Sequence, residues 1–313
     1  ASLLALSAGG ALAQRLDAPF NDGLRMTTGD LKGAEAPAFD DAAWKPVTLP
    51  RAFNEDEAFS RDIHEHSTGI TWYRKRFVLP ASQGPAVGGR AIIDFEGVRQ
   101  AGDVYVNGVR AGGHENGATA FGVDATKLLK PAPFENVIAV RVDNDWKYKE
   151  RATGSGFQWN NNNFNVNYGG IHRAVRLHLT GGLHQTLPLY SSLGTTGVYI
   201  WAEDFDIKGR AATVHAESEV RNETDRPRTF GYRVTVRDVE GKAVGEFAGP
   251  TVTLAPGETR VVSAKQRLTV RNVGIVGYGY LYAVGAAVVE DGKAVDEVTT
   301  RTWFRQAGLG QGM

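Results

Sequence analysis

Residues 90–108 read Arg-Ala-Ile-Ile-Asp-Phe-Glu-Gly-Val-Arg-Gln-Ala-Gly-Asp-Val-Tyr-Val-Asn-Gly. Arg90–Phe95 and Asp103–Val106 follow a period of two, which sends successive side chains to opposite faces of a strand. Asn107-Gly108 follows the second of these segments. That pair suits a type I′ turn, in which both central residues need positive φ. A β-hairpin is therefore predicted here, and the same grammar extends in both directions. Val137–Val142 and Ala174–Leu179 repeat the alternation. Thr213–Val220, Thr229–Val236, Thr251–Leu254, Arg260–Val262 and Tyr280–Val289 do so in the second half, with turns at Asn222–Arg226, Glu240-Gly241, Pro256-Gly257 and Asp291-Gly292. No long segment sustains a 3.6-residue period, and Asp124–Leu129 suffices for one helical turn. The pattern predicts an all-β chain of two sandwiches.

Composition agrees with that class. A chain of 313 residues can bury about two separate cores. The 38 glycines suit many tight turns. Lys plus Arg equals Asp plus Glu at 35 each, so no net field draws the chain to nucleic acid or an acidic membrane. No run reaches the ~18 apolar residues of a membrane span. There is no cysteine, which excludes disulfides and thiolate metal sites. No phosphate loop, dinucleotide fingerprint or Gly-x-Ser-x-Gly elbow occurs, and no cofactor is expected.

Two features suggest boundaries. Ser2–Ala13 is a short apolar run ending Ala11-Leu12-Ala13, the form of a signal-peptide remnant with an Ala-x-Ala cleavage site. Residues 1–13 are thus expected to direct export to the periplasm or beyond; the competing reading is an apolar N-terminal helix of the fold. Gly181-Gly182 and Pro188 interrupt the strands, giving a first domain at 14–182 and a second at 183–305.

Three segments, in order, carry a resemblance: Gly69-Ile-Thr-Trp-Tyr-Arg-Lys-Arg-Phe77, Phe95-Glu-Gly-Val-Arg-Gln-Ala-Gly-Asp-Val-Tyr-Val-Asn-Gly108, and Asn167-Tyr-Gly-Gly-Ile-His-Arg-Ala-Val175. Together they resemble the N-terminal sugar-binding jelly roll of family two glycoside hydrolases, which include β-galactosidases, β-glucuronidases and β-mannosidases. The resemblance implies a jelly-roll sandwich, then an immunoglobulin-like sandwich, then a (β/α)8 barrel bearing two catalytic glutamates. Gly277–Tyr282 and Asp291–Arg301 are similar to the family's last sandwich strands. Thr299–Phe304 resembles its bridge to the barrel, with Trp303 in place of the usual glycine; residues 306–313 would be a truncated lead into that barrel. The expectation is an N-terminal, β-galactosidase-like part lacking both glutamates and inactive alone. Its partners would be a β-glycoside and its own barrel, and self-association as a homo-oligomer is left open. The alternative is a free-standing carbohydrate-binding or scaffold protein of two sandwiches.

Within this frame the richest candidate site is Trp159-Asn-Asn-Asn-Asn-Phe-Asn-Val-Asn-Tyr168, with six asparagines at 160–167. An amide donates and accepts at once, which matches vicinal sugar hydroxyls. Asn162, Asn163, Asn165 and Asn167 are the expected hydroxyl ligands, and Trp159 and Tyr168 the ring faces. The competing reading is a run of turn formers that only shapes the loop. In the resembled glucuronidases an acid stands where this chain has Phe164. Asn54-Glu55 and Asn222-Glu223 imitate the family's acid/base dipeptide without its barrel setting, and Phe53–Glu57 is an acidic patch able to meet hydroxyls or an ion. His64-Glu65-His66 has a metal-like spacing but no evident third ligand. Gly169-Gly170 and Arg173 are read as fold-forming, through a tight turn and a buried or domain-bridging ion pair. No convincing pair of carboxylates for glycoside hydrolysis is found.

Overall fold

The computed structural model describes residues 15–57, 59–62, 65–81, 89–156, 168–188, 193–270 and 280–304. They fall into two compact units. Of these, the residues from Leu16 to Leu179, with Leu193, make up the first; Arg15, Thr180–Pro188 and residues 194–270 and 280–304 belong to the second.

The first unit runs β1 (Leu16–Pro19), β2 (Leu24–Thr28), β3 (Lys45–Val47), β4 (Arg51–Ala52), β5 (Ile70–Val78), β6 (Ala91–Phe95), β7 (Ala101–Val106), β8 (Val109–His114), β9 (Phe121–Asp124), β10 (Glu135–Asp143), β11 (Gly170–Ile171) and β12 (Val175–Leu179). A six-stranded sheet, β3-β2-β5-β10-β7-β8, belongs with a four-stranded one, β1-β12-β6-β9. Every pairing is antiparallel. Phe20, Phe77, Ile93, Phe95, Val104, Phe121, Val140 and Leu177 lie in the core of this jelly roll. The Asn107-Gly108 turn forms as its sequence demands, with φ of 51° and 85°, and joins β7 to β8 through Val106 opposite Val109.

Strand β5 is buried on both faces. Tyr73 and Phe77 join the main core, whereas Trp72 packs with Trp44, Ala34 and Ala139 in a second apolar cluster. Between them Arg74 has a fully buried side chain. Its Nε donates to Asp41 Oδ2 at 2.8 Å, and its other nitrogens donate to the carbonyls of Ala34, Ala36 and Phe39. The guanidinium lies 5.6 Å from the Phe39 ring centroid and 5.9 Å from that of Trp44. A buried cation is tolerable only when it is paired and its donors are satisfied, and both conditions hold here.

The second unit runs β13 (Leu183–Gln185), β14 (Val198–Asp206), β15 (Ala211–Asn222), β16 (Arg228–Arg237), β17 (Ala243–Ala248), β18 (Val252–Leu254), β19 (Thr259–Thr269), β20 (Tyr282–Glu290) and β21 (Lys293–Thr302). In one sheet β15 pairs with β13, β14 and β19; in the other the order is β17-β16-β20-β21, with β18 also on β16. Strand β15 alternates strictly between buried and half-buried residues along its whole length, as one covered face requires. Val214, Val220, Tyr232, Val234, Val284 and Val288 contribute to a separate core.

A polar chain runs through that core. Asp296, wholly buried, accepts from Arg15 Nε at 2.7 Å, from the Gln185 backbone at 2.8 Å and from Gln185 Nε2 at 3.0 Å. Gln185 Oε1 accepts from Ser218 Oγ, which also bonds the Tyr232 hydroxyl at 2.7 Å. Burial alone would raise the Asp296 carboxyl, but the charge and hydrogen bonds of Arg15 and the Gln185 bonds outweigh it and hold it below the usual range.

Neighbouring His184 is pushed down to about 4 from 6.5, chiefly by burial. Its folded value lies below its unfolded value, so its neutral form stabilises the unit fully above 6.5, and that contribution fades as pH falls towards 4. The shift corresponds to roughly 3 kcal/mol. Urea unfolding followed at pH 7 and pH 4.5 should show a pH-dependent loss that His184→Asn reduces by at least half; equal losses in both proteins would refute the assignment. The loss of the Asp296 contribution belongs to a lower window, below its ordinary 3.8.

Candidate functional site

The chain emerges from the Asn-rich loop at Tyr168. Trp159, Asn162, Asn163, Asn165 and Asn167 lie outside the described residues. Tyr168 is 36% exposed, and its ring centroid stands 6.4 Å from that of His66. His66 is itself buried, and its Nδ1 has no hydrogen-bond partner among the described residues. Period-two and motif reasoning gave no reason to place His66 beside Tyr168.

Two glycines then bring the chain against the side chains of Asn54, Asn144 and Tyr73. A Cβ on Gly169 would fall 2.0 Å from Asn144 Nδ2; one on Gly170, whose φ is +120°, would fall 2.2 Å from the Tyr73 hydroxyl. Only glycine fits either position. The Gly169 N–H donates to Asn54 Oδ1 at 3.0 Å, and Asn54 Nδ2 donates to the Ser67 carbonyl at 2.8 Å. Asn144 Oδ1 accepts from the Gly69 N–H at 3.0 Å. Tyr73 donates its hydroxyl to the Arg51 carbonyl at 2.6 Å, and burial pushes its pKa well above the ordinary tyrosine value. The β4–β11 ribbon, Ala52 opposite Gly170 and Arg51 opposite Ile171, completes the frame. The fold-forming reading of Gly169-Gly170 holds, but through a close approach at the start of β11 in place of the expected tight turn.

The ion-pair reading of Arg173 does not hold. Its side chain is exposed, makes no ion pair among the described residues, and lays its stem over Gly97, 3.0 Å from where a Cβ there would sit. Adjacent His172 is half-buried, and desolvation pushes its imidazole below the usual range. The acidic patch at Phe53–Glu57 is also spent internally. Arg51 pairs with both Glu55 and Asp56, Glu55 caps the Ala52 N–H at 2.9 Å, and Glu57 accepts from the Ser67 N–H and hydroxyl at 2.6 and 2.5 Å. These carboxylates hold a loop together. In the second unit Glu223 is half-buried 3.7 Å from Arg221, beside the fully buried Asn222 that ends β15. His64 lies outside the described residues.

Next to the close approach is a cleft of about 360 Å³ lined by Asp30, Gly69, Ile70, Asp143, Asp145, Lys147 and Tyr148. Asn144, which anchors Gly69, sits in sequence between two of its acids. Arg141 grips Asp30 through two bonds of 2.8 Å and lies 3.8 Å from Asp143. The Arg141 hydrogen bond draws Asp30 below the usual carboxylate range, while burial raises Asp143. Tyr148 donates to Glu115, and burial with that carboxylate raises its hydroxyl. Such a wall offers acceptors, an ammonium and a phenol to a polyhydroxylated ligand. Both Asp30 and Asp143 answer to one guanidinium, which leaves neither placed as a free acid.

The described residues thus form a jelly roll with a second β-sandwich after it in the sequence. The family model for the sugar binding domain of glycosyl hydrolases family 2 matches residues 34–181, so that part of the chain belongs to family 2. A β-glucuronidase from Formosa agariphila is 32% identical over 297 residues, 91% of this chain and 29% of the relative. A β-galactosidase from Bacteroides ovatus is 29% identical over 317 residues, 97% of this chain and 33% of the relative. The solved structure of a family 2 β-glucuronidase superposes with a TM-score of 0.84 at 30% identity, over 96% of this chain and 31% of that one. The chain therefore spans about a third of the length of these relatives.

Removal of a single anchor of the close approach should be measurable. Asn54→Ala strands the Gly169 N–H in a buried place, and such a group costs about 1–3 kcal/mol. Gly170→Ala adds a clash at positive φ and should cost more. Denaturant melts of the two variants should rank in that order below the parent protein; a silent Gly170→Ala would show that the close approach is not required.

Proposed function

We propose that this chain is the non-catalytic N-terminal part of an exported family 2 glycosidase acting on β-glycosides. In this reading the two sandwiches support and complete an active site whose catalytic glutamates lie in a barrel beyond them. The observation that carries the reading is the match of residues 34–181 to a sugar binding domain, in a chain that aligns with a third of a β-glucuronidase and a third of a β-galactosidase. The spent carboxylates support it further. Glu55, the nearest imitation of the family's acid/base, is locked to Arg51 and the Ala52 N–H.

Sugar contact is assigned to Asn162, Asn163, Asn165 and Asn167, with Trp159 and Tyr168 as ring faces. One amide–hydroxyl bond nets only about 0.5–1.5 kcal/mol, so several must converge to offset the entropy of binding. The close approach at Gly169-Gly170 gives the chain a fixed point next in sequence to that segment. Gly169 and Gly170 are pinned by Asn54, Asn144 and Tyr73, so Tyr168 leaves from a rigid point.

The tests are direct. Purified residues 14–313 should release no nitrophenol from aryl β-galactoside, β-glucuronide or β-mannoside; turnover abolished by Glu55→Gln or Glu223→Gln would overturn the non-catalytic role. In the whole enzyme, Asn163→Ala and Asn165→Ala should each lower kcat/KM about tenfold, near 1.4 kcal/mol, with unchanged melting. Unchanged kinetics would end the sugar-contact assignment. Residues 1–13, fused with a start Met and basic lead to a passenger, should direct export and cleavage after Ala13; an uncleaved cytoplasmic passenger would count against it.

A further inference from the structure

The outer face of the β14–β15–β19 sheet holds a second constellation. Register sets Trp201 opposite His215 and His215 opposite Lys265; the next row sets Tyr199 opposite Glu217 and Glu217 opposite Ser263. The Trp201 and His215 rings stack at 4.7 Å with 16° between their planes, and Tyr199 adds a third ring 5.2 Å from Trp201. Tyr199 is 59% exposed, an unusual position for a large aromatic side chain on a sheet face. The segment Ala248-Gly249-Pro250 walls the other side. A Cβ on Gly249 would sit 2.4 Å from the Ser263 carbonyl, so glycine lets that wall approach. Between them lies a cleft of about 400 Å³ lined by Trp201, His215, Glu217, Ser263 and Lys265.

The polar groups of this cleft are unspent. Glu217, Lys265, the Ser263 hydroxyl and the Trp201 indole N–H make no side-chain hydrogen bond or ion pair among the described residues. That sets them apart from Asp30, Asp41, Glu55 and Asp56 of the first unit, which are tied to arginines. His215 Nε2 stands 2.7 Å from Glu203 Oε1 but is misaligned for a hydrogen bond, so this contact fixes the ring's place more than it satisfies the nitrogen.

We infer that this cleft is a saccharide-binding site of the second sandwich, taking a neutral pyranoside. An apolar ligand would strip water from Glu217 and Lys265 without replacing it, which is costly. Polyanions meet Glu217 and Glu203, and polycations meet Lys265 and Arg267. A pyranose ring has an apolar C–H face for the aromatic wall and vicinal hydroxyls that donate to a carboxylate and accept from an ammonium. The site is distinct from the Asn-rich loop, and the inference stands without the function proposed above.

The test uses the full 313-residue chain with methyl β-galactopyranoside, methyl β-glucopyranoside and cellobiose as probes. Indole N–H resonances are followed by NMR, and Trp201→Phe assigns the one concerned. Expected is a saturable shift of the Trp201 resonance with a Kd on the order of millimolar. Glu217→Gln and Lys265→Met, both at the surface, should each weaken it at least threefold without altering the melting curve. Tyr168→Ala in the first unit should leave it unchanged. No saturable Trp201 shift with any probe, or unaltered affinity in both charge variants, overturns the inference. Methyl β-glucuronide binding at least tenfold tighter than the neutral sugars would overturn the assignment to neutral pyranosides.

Discussion

Two missing Cβ atoms govern the first unit. At Gly169 and Gly170 the backbone passes so close to Asn144 and Tyr73 that any side chain would occupy the same space. The approach lets Asn54 reach the Gly169 N–H and lets the short β4–β11 ribbon form. It also delivers Tyr168 beside His66. Four segments distant in sequence meet there through hydrogen bonds to backbone groups. Such bonds constrain geometry tightly because each buried partner would be left unsatisfied if the approach relaxed.

Each unit also encloses a charged pair, and the two are built alike. In the first, Arg74 is neutralised by Asp41 and three carbonyls; in the second, Asp296 is neutralised by Arg15 and two donors of Gln185. Desolvation makes such pairs poor sources of net stability. Their effect is on uniqueness, since any arrangement that separates the partners buries a bare charge. The apolar clusters supply the driving force for folding, and these pairs select among the ways of burying it.

Local grammar made much of this architecture readable. Asn107-Gly108 and Asp291-Gly292 form turns with paired positive φ, as their residue types predict. The regular alternation of β15 was equally plain. Strand β14 was missed because Val198-Tyr-Ile-Trp-Ala-Glu puts large apolar residues on both faces and so hides its period. The partners of Arg74 were hidden for another reason: Asp41 lies 33 residues away, and no local pattern encodes a contact at that distance. Arg173 shows the converse error. A charge inside a motif suggested a buried or domain-bridging pair, yet among the described residues Arg173 has no ion pair and faces water beside a half-buried His172. Residue types announced the candidate site, while its frame of Asn54, Asn144 and Tyr73 became visible only in three dimensions.

Arg15 and Asp296 are separated by 281 positions. Closing so long a loop costs only modestly more entropy than closing a short one, since the penalty grows with the logarithm of length. Timing is the heavier burden. On a ribosome Asp296 follows Arg15 only after nearly the whole of both sandwiches, many seconds later at ordinary elongation rates. Until then the guanidinium has no carboxylate to meet, and the Gln185 amide lacks its main acceptor. The second sandwich therefore completes its polar core with a residue synthesised before the first sandwich, which delays its final consolidation until β21 has been made.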